Sequence, residues 1–175
     1  MINGEEKLRE MYPDLEEDQY QPAGIDLTLG ELKKIVEPKR NQFGRATEYY
    51  GLFKEEKRLP SLKDAKSIKM RFGDELRETF YLEPKGRYIA ITAEKIEIDD
   101  ASAQLYRPRS SLLRAGVSVH TAVGDPAFNG HLSYLVVNHN EFPFLLEKGV
   151  RFVQLIDFQC DGVIKAYDGD YNESD

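Results

Sequence analysis

Residues 107–131, RPRSSLLRAGVSVHTAVGDPAFNGH, combine side chains that could work on a phosphoanhydride. Arg107, Arg109 and Arg114 can bind phosphate oxygens, Ser110 and Ser111 can donate to them, and Asp125 can hold a water. Such cleavage needs charge neutralisation, in-line geometry and an oriented water more than it needs covalent chemistry. A triphosphate site therefore asks for anion-binding donors plus one carboxylate, and this string has both. Taken one at a time, the same residues read as a strand–turn–strand with a solvated basic edge, and Asp125 as an Asx-turn residue. Pro126 fixes the backbone after Asp125 and aims the carboxylate outward. Gln154, inside VQLI, is polar in an apolar strand, where an unpaired amide is costly; it is either a core hydrogen-bond partner or a ligand contact. Asp26 lies on the alternate face of a run whose apolar residues are Ile25, Leu27 and Leu29.

The elements that must position these residues read mostly as β. Residues 4–11 predict a short helix with Leu8 and Met11 on one side. Strand-like alternation runs through 25–29 and 87–98, with Ile89, Ile91, Ile96 and Ile98 assigned to one face. Residues 132–137 and 142–146 predict a strand pair around the turn NHNEFP, and 152–158 and 163–167 complete the set. The charged segment 33–66 reads as a hairpin or insertion. Many short strands with turn signals between them predict an all-β antiparallel jelly roll or sandwich, as a single domain over 1–175.

Composition sets limits. A chain of 175 residues suffices for one domain, burying roughly 70 % of its unfolded surface. No apolar run approaches the ~18 residues of a membrane span, and no charged-then-apolar leader opens the chain. The net charge of −7 argues against nonspecific nucleic-acid or membrane binding. A polyanionic ligand must then meet a local cationic patch, for which the 107–114 arginines are the densest candidate. The single cysteine, Cys160, forms no intrachain disulfide and reads as a strand-end core thiol. A cytoplasmic location is the expectation. No His/Cys cluster has the spacing of a zinc site. His120 and His131 flank the acidic turn as hairpin residues or ligand contacts.

From about residue 19 onward the sequence resembles the trimeric dUTP diphosphatases and their relatives the dCTP deaminases, most of all the archaeal-type branch. QPAGIDLTLGEL (21–32) is similar to the first motif, RPRSSLLRAG (107–116) to the second, HTAVGDPAFNGH (120–131) to the third and GVRFVQLIDF (149–158) to the fourth. FYLEPKGRYIAITAEKIEI (80–98) resembles the strand pair that precedes motif two. The resemblance implies that Asp125 activates the attacking water. Ser110, Ser111, Arg109, Arg114 and Gln154 would hold the phosphates of dUTP, and Asp26 would stand near Mg²⁺ through a metal-bound water. Phe128 stands where the family has an aromatic, often Tyr, that packs on the deoxyribose. The hairpin of residues 117–128 would read the base through backbone groups. Gly124 departs from the larger apolar residue common before the Asp, which implies a more flexible hairpin. The family also implies a homotrimer with sites between subunits.

A dCTP deaminase of this family needs a glutamate five residues after the glycine matching Gly130. Here that position is Leu135, which cannot transfer a proton, and the next acid, Glu141, lies in a turn beyond the strand. The expected activity is thus dUTP hydrolysis to dUMP and pyrophosphate. A deaminase, a bifunctional deaminase–hydrolase and a non-catalytic nucleotide-binding trimer are the alternatives. The ending AYDGDYNESD resembles the Tyr-x-Gly-x-Tyr tails of archaeal-type relatives, which implies a lid over 167–175 with Tyr167 and Tyr171 on the nucleotide. A frayed acidic terminus is the other reading.

Overall fold

The computed structural model describes residues 1–163, Lys165, residues 167–169 and Asn172. In chain order the elements are α1 (Glu5–Met11), a 3-10 turn (Glu17–Gln19), β1 (Tyr20–Gln21), β2 (Gly24–Ile35), β3 (Gly51–Leu52), β4 (Lys57–Arg58) and β5 (Leu62–Asp64). They continue with β6 (Ser67–Phe72), β7 (Glu75–Leu82), β8 (Arg87–Glu97), β9 (Ser102–Pro108), α2 (Ser110–Arg114) and β10 (Val117–His120). The last are β11 (Val123–Gly124), β12 (Asn129–Asn138), β13 (Phe144–Glu147) and β14 (Arg151–Gln159). The fold is all-β and antiparallel, as the turn-punctuated pattern predicts. No helix among the described residues is long and apolar enough to cross a membrane.

A nine-stranded sheet follows the path β10-β12-β8-β2-β14-β9-β11, with β1 and β5 added onto β2. Its two terminal strands, β10 and β11, are separated in sequence only by Thr121 and Ala122. That link spans at most about 11 Å, so the sheet must curl until its ends approach. The enclosed core holds Ile25, Leu27, Leu29, Tyr88, Ile96, Phe152, Val153 and Leu155, all at 0–1 % exposure. Leu8 of α1 is fully buried and Met11 packs beside it, so the short helix closes over this core by the face its sequence predicts. The strands β13-β7-β6 form a second, three-stranded sheet.

Several local expectations need correction. The buried face of β8 is Tyr88, Ala90, Thr92 and Ile96, continued by Ile98 beyond the strand end, whereas Ile89 and Ile91 are half-buried on the other side. Ile89 stands there between Lys33 and Leu135, its partners on the neighbouring strands. β13 does not pair with β12: it crosses to β7, and the Asn138 amide secures the crossing by donating to Leu82 O, Glu83 O and Phe142 O. β7 and β8 likewise follow one another yet belong to different sheets. Residues 110–114 form a short helix, which strand periodicity did not anticipate. Within 33–66, β3 pairs with β4 and β5 returns to pair with the end of β2. Of the expected strand 163–167, Ile164 and Ala166 lie outside the described residues, and Val163, Lys165 and Tyr167 are not in a strand. Cys160 is half-buried just past β14.

Candidate active site

Three strands bring the first set of residues into a row. Asp26 on β2 is the register partner of Gln154 on β14, and Gln154 is in turn the partner of Arg107 on β9. Directly opposed residues share a face of a sheet, so these three side chains emerge on one side. It is the side opposite the core, since Ile25, Leu27 and Leu155 on either side of them are buried. Asp26 is nevertheless only 3 % exposed. The guanidinium of Arg109 covers it and donates to Asp26 Oδ2, and Arg151 Nη1 stands 3.8 Å from the same oxygen. Arg151 also lies 3.4 Å from Asp18 Oδ2. Burial pushes the Asp26 carboxyl above the ordinary carboxylate range, and the two arginines oppose that shift.

Arg109 is the N-cap of α2, held by a hydrogen bond from its N–H to Phe152 O at 3.0 Å. Ser110 and Ser111 open the helix with exposed side chains next to the arginines, and Arg114 closes it, exposed. Neither Arg107 nor Arg114 has an ion pair among the described residues. The arrangement is a cationic face with two uncommitted guanidiniums and two hydroxyls. It suits a polyanion. Among the described residues no group of three or more His, Cys, Asp or Glu could enclose a metal ion. The one carboxylate beside this face, Asp26, is already engaged by the Arg109 guanidinium.

The second set lines a cavity of about 570 Å³ whose walls include Tyr106, Gly124, Asp125, Phe128, Tyr134 and Tyr167. That volume is ordinary for a small-molecule site. Asp125 is exposed at its rim. The turn behind it is closed by Phe128 N donating to Asp125 O at 3.2 Å, with Ala127 in the left-handed region at φ 65°. Phe128 is 8 % exposed, and the Tyr167 ring meets it edge-on at 5.7 Å between centroids. Tyr167 N donates to Pro126 O at 2.9 Å, and Asn172 Oδ1 accepts from Asn129 N at 2.9 Å. The described part of the tail thus folds back onto the acidic turn. Tyr171 lies outside the described residues. His131 lines the cavity with Nδ1 3.0 Å from Thr92 O, whereas His120 lies outside it, bridged by Ser118 to His139.

Within one chain the two sets do not meet. Tyr106 is buried and lines the cavity, and its neighbour Arg107 projects from the other face of β9. Asp125 and Phe128 therefore stand on one side of the sheet, and Gln154, Asp26 and Arg107 on the other. Arg151 was not anticipated, for a geometric reason. A β-bulge between Arg151 and Val153 places both Phe152 and Val153 in the core and turns Arg151 toward Asp26. Strict alternation would assign Arg151 to the core face. Tyr106 and Tyr134 were also missed, because their aromatic types signal only a strand core.

A family model for dCTP deaminase-like proteins matches residues 3–160. The chain belongs to that family. A protein of Methanopyrus kandleri named probable deoxyuridine 5'-triphosphate nucleotidohydrolase is 41 % identical over 98 % of this chain and 99 % of its own length. A relative of the same name from Methanothermobacter thermautotrophicus is 40 % identical over 99 % of this chain and all of its own. The deoxyuridine 5'-triphosphate nucleotidohydrolase of Methanocaldococcus jannaschii is 32 % identical over 98 % of both. Among solved structures, a 2'-deoxycytidine 5'-triphosphate deaminase from Agrobacterium tumefaciens superposes with a TM-score of 0.58 at 19 % identity, covering 89 % of this chain and 47 % of that one. This last likeness is one of fold. Leu135 is half-buried on β12 between His120 and Ile89.

Proposed function

We propose that this protein is a dUTP diphosphatase, hydrolysing dUTP to dUMP and pyrophosphate in the presence of Mg²⁺. The observation that carries the reading is the exposed Asp125 carboxylate at the mouth of an aromatic-lined cavity, in a chain whose full-length relatives bear the nucleotidohydrolase name. The uncharged end of the nucleotide fits the cavity, with Phe128 against the deoxyribose and Tyr167 over it. Asp125 holds a water and takes its proton as the water oxygen bonds to the α-phosphorus. The bond from that phosphorus to the bridging oxygen breaks, and pyrophosphate leaves. Ser110, Ser111, Arg107, Arg109, Arg114 and Gln154 hold the phosphate chain. The metal neutralises charge on the triphosphate, and Asp26 is the residue that would hold it, through water.

The opposed faces of the sheet favour a site completed by a second copy of the chain. Asp125 of one copy would then face the arginines of another, in a closed homotrimer with heterologous interfaces. Deamination is disfavoured because Leu135 offers no proton carrier. Pyrophosphate release from each deoxynucleoside triphosphate, with and without Mg²⁺, tests the assignment. The expected result is metal-dependent release from dUTP. Ammonia release from dCTP, or no turnover of dUTP, would overturn it.

A further inference from the structure

Residues 39–59, an arm within the link from β2 to β5, bury none of their side chains; Ala46 and Gly51 are half-buried and the rest exposed. Among the described residues the arm makes β-pairs only with itself: Arg40 bridges to Ala46, and β3 pairs with β4. Two strands of two residues supply no core of their own. Yet the arm holds Phe43 and Tyr49 at 78 %, Leu52 at 76 % and Leu59 at 58 % exposure. Single apolar residues scattered over a surface are ordinary, but this many in one short segment mark an interaction surface. Charge divides the chain in the same place. Residues 39–59 hold six basic and three acidic side chains, a net +3, which leaves −10 on the rest of the chain. Lys39, Arg45 and Lys54 have no ion pair among the described residues. Opposite charge is concentrated over residues 5–18, where seven carboxylates, all exposed, stand against two basic residues. Among the described residues those carboxylates pair with Lys7, Arg9 and Arg151, and none with the arm.

We propose that this arm docks onto a second copy of the chain, which covers its apolar side chains and meets its cations with acidic residues 5–18. This rests on the assembly in the reading above and names an element that holds neighbouring copies together. Charge decides the partner. A single-stranded nucleic acid would also offer phosphates to the cations and bases to the rings. It would meet repulsion from a body at −10, whereas a second copy brings that same acidic body as the attraction. The apolar side chains supply affinity, and the charges set orientation and encounter rate. The arm and residues 5–18 are different patches of one chain, so their contact is heterologous and can close into a ring, as a homotrimer requires.

The test is the assembly state of the full chain and its variants, followed by analytical ultracentrifugation over a dilution series. Phe43→Ser/Leu52→Ser/Leu59→Ser removes apolar contacts, and Arg45→Glu/Lys54→Glu reverses two free cations. The unaltered chain is expected as a trimer. The first variant should raise the concentration of half-dissociation by at least about tenfold. The second should raise it several-fold in dilute buffer and much less at high salt. Adding Glu6→Lys/Asp14→Lys to the second variant should restore assembly. Far-UV circular dichroism should keep the β spectrum of the unaltered chain throughout, because no substituted side chain is buried. Unchanged assembly in the first variant, a lost β spectrum, or failure of the added lysines to restore the second variant would each overturn the proposal. So would tight binding of an oligothymidylate that the second variant loses, which would give the arm to nucleic acid. If the unaltered chain is a monomer, the shared-site reading fails and this inference with it. If the unaltered chain and both variants assemble alike, only the role of the arm fails.

Discussion

The Tyr106 hydroxyl fills the space that a side chain at position 124 would need. A Cβ built on Gly124 would lie 2.3 Å from Tyr106 Oη and 2.7 Å from Ile98 Cδ1. Gly124 is buried in β11 opposite Gln104, so the glycine permits a close approach rather than a flexible hairpin. Gly124→Ala should then destabilise the protein by about 1–3 kcal/mol through overpacking. In a Tyr106→Phe background the same change should cost measurably less, since the clashing oxygen is gone. Urea midpoints of the four proteins measure the difference. Equal costs in both backgrounds would show that the hydroxyl is not the obstacle.

Asp125 is exposed and forms its turn through its backbone carbonyl, so its carboxylate is available for chemistry. Asp125→Asn keeps the shape and removes the proton acceptor. The expected outcome is a fall in kcat of about 10²–10⁴, with affinity for a non-hydrolysable dUTP analogue preserved. Retained turnover would assign the water to another group.

Arg107 and Arg109 sit two residues apart and should behave differently. Arg109 covers the buried Asp26 carboxylate, whereas Arg107 has no ion-pair partner among the described residues. Arg109→Ala should cost about 3–5 kcal/mol of stability, because breaking a buried pair strands a charge. The nearby Arg151 would moderate the loss. Arg107→Ala should change stability by less than about 0.5 kcal/mol while raising KM for the triphosphate. Thermal melts and kinetics on both variants would separate the roles, and similar melting losses would refute the distinction.

How much of this was legible in the sequence differs from residue to residue. The period-2 strands, the short first helix and the outward-facing Asp125 follow from local patterning that burial and turn chemistry enforce. Arg151 and the Ile89–Ile91 face did not follow. The first depends on a bulge that inverts alternation in β14, and the second on which side of β8 the curled sheet encloses. The crossing of β13 to the second sheet rests on the buried amide of Asn138, whose partners are up to 56 residues away. Gly124 could be noticed but not interpreted. Its meaning lies in Tyr106, which is distant in sequence and adjacent only after β9 and β11 pair. The separation of Asp125 from the arginines is likewise a property of sheet faces, not of spacing within the motif.

Asp157 offers a test of the buried polar chain beneath the cavity. It is fully buried, and its carboxylate accepts from Asn3 Nδ2 at 2.7 Å and Gln104 Nε2 at 3.1 Å. Burial raises its carboxyl above the ordinary value, although the bonds from Asn3, Gln104 and Ser102 work against that shift. The folded state therefore binds this proton more tightly than the unfolded chain does. Below the unfolded value of about 3.9, both states are protonated and the contribution to stability is complete. As pH rises through the folded value, the unfolded chain has already ionised, whereas the folded one must place a charge in the core, so stability is lost. Asp157→Asn cannot ionise. Unfolding free energies of the two proteins, measured between about pH 4 and pH 7, should thus show the Asp form losing ground to the Asn form as pH increases. A difference that moves the other way would mean that the hydrogen bonds to the carboxylate outweigh its desolvation.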